Sequence, residues 1–466
     1  MVHAERHRQM TLRNWSENVQ FSAAKVHAPR TVEELQELVR ASRKVSVLGS
    51  RHSFNDIAAI DAQIDNGRGG KDSAQQPPDA ATSAYISLER LDLPLTINQD
   101  LKTVTCGANV TYGELCQRLH DEGVALRNTA SLPHISVGGA CATATHGSGD
   151  NNGNLASEMV GMELVTADGA LRSLTREGGG EDFFGGVVGL GGLGVVTSIT
   201  LATVPAFAME QRVYEDLPVG ELYGHFDEIM SSAYSVSLFT DWRDGTVNQV
   251  WLKQQLGAWA EWEDGANSGG NSNAAKAARA AFFGASEAPT HRHPVTRFEP
   301  GPCTPQMGIP GPWHERLPHF RVDSTPASGD ELQTEYFVPR EHAVPALQTM
   351  EGLRDRFEPV LWISEVRSIA ADRLWLSQSY ETPTVALHFS WRKDWPAVRA
   401  LLPVIEEALS PFQVRPHWGK LFTLSPAHLE ASFSRMADYR SLLQSWDPES
   451  KFRNGYIDRH IYGQAF

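Results

Sequence analysis

VLGSRHSFN, residues 47–55, sets a single histidine, His52, in a turn that ends a β-rich run over residues 44–48. Gly49 and Ser50 are small enough to let a ligand approach the backbone closely. A turn histidine alone equally describes a surface or hydrogen-bonded residue. A second stretch, SLPHISVGGACATATHGSGD over residues 131–150, changes the balance. Gly138, Gly139, Gly147 and Gly149 alternate there with Ser136, Thr143, Thr145 and Ser148, so amides and hydroxyls can wrap a diphosphate without a basic cluster. A glycine-rich structural turn has the same composition, but the two stretches together point to a tethered, phosphate-bearing cofactor.

Around these stretches the chain reads as α+β. Residues 31–42 form a helix opened by a capping box, Thr31 with Glu34, that buries Leu35 and Val39. Residues 103–106 read as a strand, and a second box, Thr111 with Glu114, opens a helix carrying Leu115 and Leu119 that Gly123 can end. Strands over 160–166 and 170–174 flank the hairpin signal Asp168-Gly169, and 195–204 is another β-branched run. Gly189, Gly191 and Gly194 match a dinucleotide fingerprint letter for letter, but a strand follows them where that site needs a helix amino end, which argues against a nicotinamide fold.

Two stretches, Asp65 to Ala84 and Glu263 to Pro289, are rich in small and polar residues and read as mobile surface insertions. Beyond residue 207, strand-like runs at 235–240, 249–253, 333–338 and 384–390 alternate with helical ones such as 340–357, giving a second α/β domain. The tail WDPESKFRNGYIDRHIY is expected to fold back on the first domain.

With 466 residues, 41% hydrophobic and 21% charged, the chain can bury a core for two or three domains. Its net charge of -15, from 56 acidic against 41 basic residues, and the lack of any Lys/Arg stripe exclude nucleic acid and favour a neutral substrate. Cys106, Cys116, Cys141 and Cys303 show no paired spacing, so neither a metal site nor a disulfide framework is expected. The amino-terminal residues lack the apolar core of a signal peptide and no stretch approaches a membrane span, so a cytoplasmic protein off the membrane is expected.

Glu365 and Arg367 in SEVRS, His388 and Ser390 in ALHFSW, and Gln333 and Glu335 in LQTEYF are each two residues apart, so on strands each pair shares a face. Three strands then line one polar floor. The solvated face of an antiparallel sheet has the same spacing, although His388 sits between Leu387 and Phe389 in a largely apolar run.

GSRHSF, ASLPHISVGG with TATHGSG, GMELVTADG and LGGLGVVTSITL resemble the flavin domain of the vanillyl-alcohol-oxidase superfamily. Within it the chain is most similar to bacterial alditol (xylitol) oxidases, from about Asn14 to the C-terminus. The resemblance implies an α+β, two-domain flavoprotein oxidase: a PCMH-type FAD-binding domain over 14–206, a substrate-binding cap with a large antiparallel sheet over 207–420, and a segment, 421–466, returning to the FAD domain. It implies FAD attached covalently through His52. Val47, Leu48, Gly49, Ser50, Arg51, Ser53, Ser131, Ser136, Gly139, Thr143, Ala144, Thr145, His146 and Val196 fall on flavin-contact positions.

The QTEY, E-x-R, HF(S/T)W and RPHWGK segments extend the likeness. They make Ser131, Gln333, Glu365, Arg367, His388, Ser390, His417 and Lys420 substrate-site candidates. Arg367, Lys420, His388 and Glu365 would carry the chemistry, with two cations stabilising a developing alkoxide and His388 taking the proton. Ala130 matches a position near the flavin edge associated with oxygen access.

Ser390 stands where Thr is common, keeping the hydroxyl and losing a methyl. Arg51 stands where relatives carry a small residue, usually Gly; if that position needs φ > 0 the arginine costs strain, unless its guanidinium aids the pyrophosphate. Flavin attachment would then be less efficient than in relatives. The implied activity is oxidation of a polyol's terminal alcohol by a monomer, with dioxygen as acceptor. The alternatives are a sugar-1,4-lactone oxidase or dehydrogenase of the same superfamily, a non-catalytic flavin- or sugar-binding protein, and an NAD-dependent polyol dehydrogenase.

Overall fold

The turn bearing His52 leaves the edge of a three-stranded parallel sheet in the computed structural model, which describes residues 12–21, 25–60, 62–64, 83–259, 282–324 and 329–464. The sheet runs Lys25–His27, Ser83–Ser87, Lys44–Leu48, and helix Val32–Ala41 crosses between its two outer strands. Leu35 and Val39 of that helix are wholly buried. Its expected capping box is only half formed. Thr31 Oγ1 accepts from the Glu34 amide at 3.2 Å, but the Glu34 carboxylate accepts from the amide of Arg30, not of Thr31. The second box is complete, with Glu114 Oε2 accepting from the Thr111 amide at 3.0 Å.

A five-stranded antiparallel sheet completes this part: Leu171–Thr175, Met159–Val165, Val195–Ala202, Thr103–Gly107, Thr96–Asn98. Strand Val195–Ala202 begins directly after Gly194, so no helix amino end stands at the false fingerprint. The serine- and glycine-rich stretch is not all loop, because Val137–Ala142 is a short helix with Ser136 at its cap position.

The chain then builds one nine-stranded antiparallel sheet among the described residues. Its main order is Ser286–Glu287, Phe207–Pro218, Thr246–Ala258, Ser235–Thr240, Leu361–Ile369, Thr384–Arg392, Glu331–Pro339, Arg415–Pro416, with Gly311–Pro312 pairing Phe207–Pro218. Alternation along the strands gives this sheet two faces. Tyr336, Phe389 and Trp391 face the helices Ala343–Phe357 and Trp395–Leu409: Tyr336 bonds Glu406 and Phe357 meets the rings of Phe389 and Trp391. The other face carries the polar floor.

The two insertions fall largely on residues 65–82 and 260–281, outside the described residues, as do residues 1–11 of the amino-terminal stretch. Their expected edges need correction. Strand Ser83–Ser87 starts before Ala84 because it gains pairing on both sides, and strand Ser286–Glu287 lies within the second insertion, paired to Tyr214 and Glu215. The tail packs on the parallel sheet: Lys44 Nζ donates to the carbonyls of Ser450 and Arg453 at 2.7 and 2.9 Å, and Asn454 Nδ2 donates to Ile57 O at 2.8 Å. Among the described residues no helix is long and apolar enough to cross a membrane.

Candidate functional site

The His52 turn and the serine- and glycine-rich stretch touch. The Ser136 amide donates to Ser50 Oγ at 3.3 Å, and a Cβ placed on Gly49 would lie 2.7 Å from Ser136 Oγ. Between them and the polar face of the large sheet lies a cavity of about 610 Å³. Val47, Leu48, Gly49, Ser50, Arg51, His52, Ser53, Ser136, Gly139, Thr143, Thr145 and Val196 line it on the side of the parallel sheet, together with Ala130. Ser131 and His146 line it as well. Ala144 is the exception: it is wholly buried at φ 52° and does not face the cavity.

That volume and glycine-lined wall suit a large planar cofactor carrying a diphosphate. His52 stacks on Trp15, ring centroids 4.8 Å apart. Burial, with a smaller effect of His134, pushes its pKa down to about 4. The imidazole is therefore neutral at pH 7 and keeps the lone pair that a covalent bond to a cofactor requires.

Arg51 does adopt φ 60°. Its carbonyl accepts from the Trp15 amide at 2.9 Å, while its exposed guanidinium reaches the Arg13 carbonyl at 3.5 Å. The strained reading holds, and that bond takes the guanidinium to backbone. Arg51→Gly is expected to raise stability by about 0.5–1 kcal/mol, read as a higher urea midpoint at unchanged slope.

On the opposite wall the strand register decides the site. Glu335, His388 and Glu365 form one row across three neighbouring strands, and Gln333, Ser390 and Ile363 form the next. Gln333, Glu365, Arg367, His388, Ser390, His417 and Lys420 all line the cavity. Most of this set is buried, with His388 and Ser390 at 7% exposure and Glu365 and Arg367 at 5%, so the solvated-face reading of the spacing is excluded.

Glu335, placed on the polar floor by its spacing from Gln333 but not among the substrate-site candidates, is the hub. Its Oε1 lies 2.8 Å from Arg367 Nη2 and 3.1 Å from His146 Nε2, and its Oε2 lies 2.8 Å from Lys420 Nζ. Burial alone would raise its pKa, but Lys420, His146 and Arg367 hold it well below the usual carboxylate range. Glu365 is likewise held ionised against burial by Arg367, 3.4 Å away, and by His319. Burial lowers Lys420, with Glu335 opposing.

Arg367 Nη1 also donates to Ser131 Oγ at 3.2 Å, joining the two walls. Asn55 Nδ2 donates to the carbonyls of Trp418 and Lys420 at 2.8 and 2.7 Å, which ties the His52 turn to the Lys420 segment. The His417 amide donates to Glu335 O at 3.0 Å, and His417 Nδ1 accepts from the Gly419 amide at 3.0 Å. His388 Nε2 is buried without a hydrogen-bond partner among the described residues. Burial first, then Lys420, pushes His388 down to about 3, so it is a neutral acceptor facing the cavity.

Three residues that form or support this wall lay outside the expected set. Glu335 was within reach, since Arg367 and Lys420 need a counter-ion and it shares the polar floor. His319, 2.8 Å from Glu365, and Lys253, 3.1 Å from His319, belong to no pattern in the sequence.

A FAD binding domain family model matches residues 23–175, and a D-arabinono-1,4-lactone oxidase family model matches residues 330–460. An alditol oxidase of Streptomyces sp. is 44% identical over 446 residues, 95% of this chain and 97% of that one. An L-gulono-1,4-lactone dehydrogenase of Mycobacterium tuberculosis is 25% identical over 460 residues, 96% of this chain and 98% of the other. Among solved structures, cholesterol oxidase from B. sterolicum superposes with a TM-score of 0.72 at 14% identity, covering 97% of this chain and 96% of that one, a likeness of fold.

Proposed function

The chain belongs to the alditol oxidase family of FAD-dependent oxidoreductases, and from that membership we propose that it oxidises the terminal primary alcohol of acyclic polyols such as xylitol and sorbitol to the aldose, with dioxygen reduced to hydrogen peroxide. The observation that carries the reading is one cavity shared by the His52 turn and by two cations, buried Arg367 and half-buried Lys420, bound to a single carboxylate. Residues 14–206 would form the FAD-binding unit, 207–420 the cap, and 421–466 the returning segment. A cytoplasmic setting fits four buried free thiols, and the protein would act as a monomer.

His52 would tether FAD, with residues 47–53, Ser131, Ser136, Gly139, Thr143, Thr145, His146 and Val196 around it. FAD, when bound, supplies the acceptor for the hydride leaving the carbinol carbon and passes the electron pair to dioxygen. Arg367 and Lys420 offer positive charge to the alcohol oxygen as it loses its proton, in a pocket where screening is weak. His388 Nε2 is the acceptor for that proton, and the negative charge developing on the alcohol oxygen beside it raises its affinity for it. Glu365, with Gln333, Ser390 and His417, receives the remaining hydroxyls, so donors and acceptors interleave along a polyol.

Peroxide release from xylitol, sorbitol and aldono-1,4-lactones tests the assignment. Polyols are expected to release peroxide; release from lactones alone would assign the chain to the lactone oxidases instead. His52→Ala is expected to let acid strip FAD into the supernatant, whereas the unaltered protein precipitates yellow. A yellow pellet from the variant would place the tether elsewhere.

A further inference from the structure

Lys253 is wholly buried, yet it lies outside the proposed reaction. Its Nζ donates to the carbonyls of Leu317 and Pro318 and lies 3.1 Å from His319 Nδ1. A proton from Lys253 on that bond leaves Nδ1 as acceptor, so His319 carries its hydrogen on Nε2. That nitrogen lies 2.8 Å from Glu365 Oε1. The same residue also touches the opposite wall, because the amides of His319 and Phe320 both donate to Ser131 O, at 3.1 and 3.2 Å. His319 lines the cavity, and the rings of Phe239 and Trp251 meet its ring edge to face.

We infer that His319, fixed in one tautomer by Lys253, is a positioning residue that aims the Glu365 carboxylate at a polyol hydroxyl. The inference rests on the polyol reading above. Glu365 has two oxygens, and Oε1 is taken by His319 and by Arg367 at 3.4 Å. Oε2 is thereby left to receive substrate. Moving the ring hydrogen from Nε2 to Nδ1 would set a lone pair against the carboxylate and release this orientation.

The charged and titratable groups around His319 are Lys253 from one strand, Glu365 and Arg367 from another, and Cys303 beside Lys253, with Ser237 Oγ at 3.5 Å. Burial first, then Lys253, pushes His319 down to about 4 while Glu365 pulls the other way. Removing the lysine therefore moves the imidazole upward. A protonated His319 would draw the carboxylate charge toward Oε1 and weaken Oε2 as an acceptor for substrate.

The test measures KM, kcat and flavin content for xylitol oxidation by His319→Ala, His319→Gln, Lys253→Met, Glu365→Gln and the double variant His319→Ala with Glu365→Gln. His319→Ala is expected to raise KM roughly ten- to a hundredfold with a much smaller change in kcat. His319→Gln, whose amide still donates to Glu365, recovers most of the loss. His319→Ala has little further effect when Glu365 is already Gln. Lys253→Met brings a new ionisation into the acid limb of the kcat/KM profile.

Equal defects in the Ala and Gln variants, full additivity with Glu365→Gln, or an unchanged profile in Lys253→Met would each overturn the inference. If His319→Ala binds no flavin, the Gln and Met variants decide it. An unaltered protein that turns over lactones and no polyol would instead refute the function proposed above, and this inference with it.

Discussion

Lys420→Met is expected to slow the reduction of bound flavin by xylitol by about a thousandfold, with KM changed by less than about tenfold. The asymmetry follows from when the charge is needed. A neutral alcohol in the ground state gains little from a cation, whereas the oxygen that has lost its proton gains most of what a preorganised, poorly screened charge can give. Methionine keeps the length of the stem and removes only the ammonium. The fold should survive, because Glu335 keeps Arg367 at 2.8 Å and His146 at 3.1 Å as partners. Anaerobic stopped-flow absorbance separates the two quantities; an unchanged limiting rate would remove Lys420 from the chemistry.

Glu335→Gln is expected to destabilise the protein by about 3–5 kcal/mol, because it removes the counter-ion that buried Arg367 shares with half-buried Lys420. The side chain is 1% exposed, so water cannot replace it. The pH dependence has a definite sign. Glu335 has a folded pKa depressed below its ordinary 4.5, so its contribution is fully present above about that pH and is lost as pH falls toward the folded value. The stability gap between the unaltered protein and the variant should therefore be level near neutrality and narrow in acid. A gap that widened in acid, or a variant as stable as the unaltered protein at pH 7, would remove Glu335 as the hub of the floor.

The local motifs were legible because each is written in neighbouring residues. The alternating pairs at Gln333, Glu365 and His388 put their side chains on one face of each strand, and the run after Gly194 announced a strand where a dinucleotide fold needs a helix. Arg51 was legible as a strained position because only a positive φ would make its departure from glycine costly, and φ is 60°. The register was not legible. That Glu335, His388 and Glu365 share a row depends on strands paired across long stretches of chain, and no local spacing encodes such pairing.

The half-formed cap at Thr31 shows the same limit at close range, since the Glu34 carboxylate found the Arg30 amide one residue away from the expected donor. His319 and Lys253 are single letters from distant segments and meet only after the large sheet has formed. Glu335 lay between the two cases, on the right face and next to a chosen residue, with only the counter-ion argument to single it out.

In the proposed reaction this cavity brings a polyol alcohol, two cations and a flavin together. Anaerobic addition of xylitol to the yellow holoprotein, followed by air, tests it most directly. The account predicts that the flavin absorbance bleaches on xylitol and returns in air with release of hydrogen peroxide equimolar to the aldose formed. A flavin left oxidised by xylitol and sorbitol, yet bleached by an aldono-1,4-lactone, would contradict it.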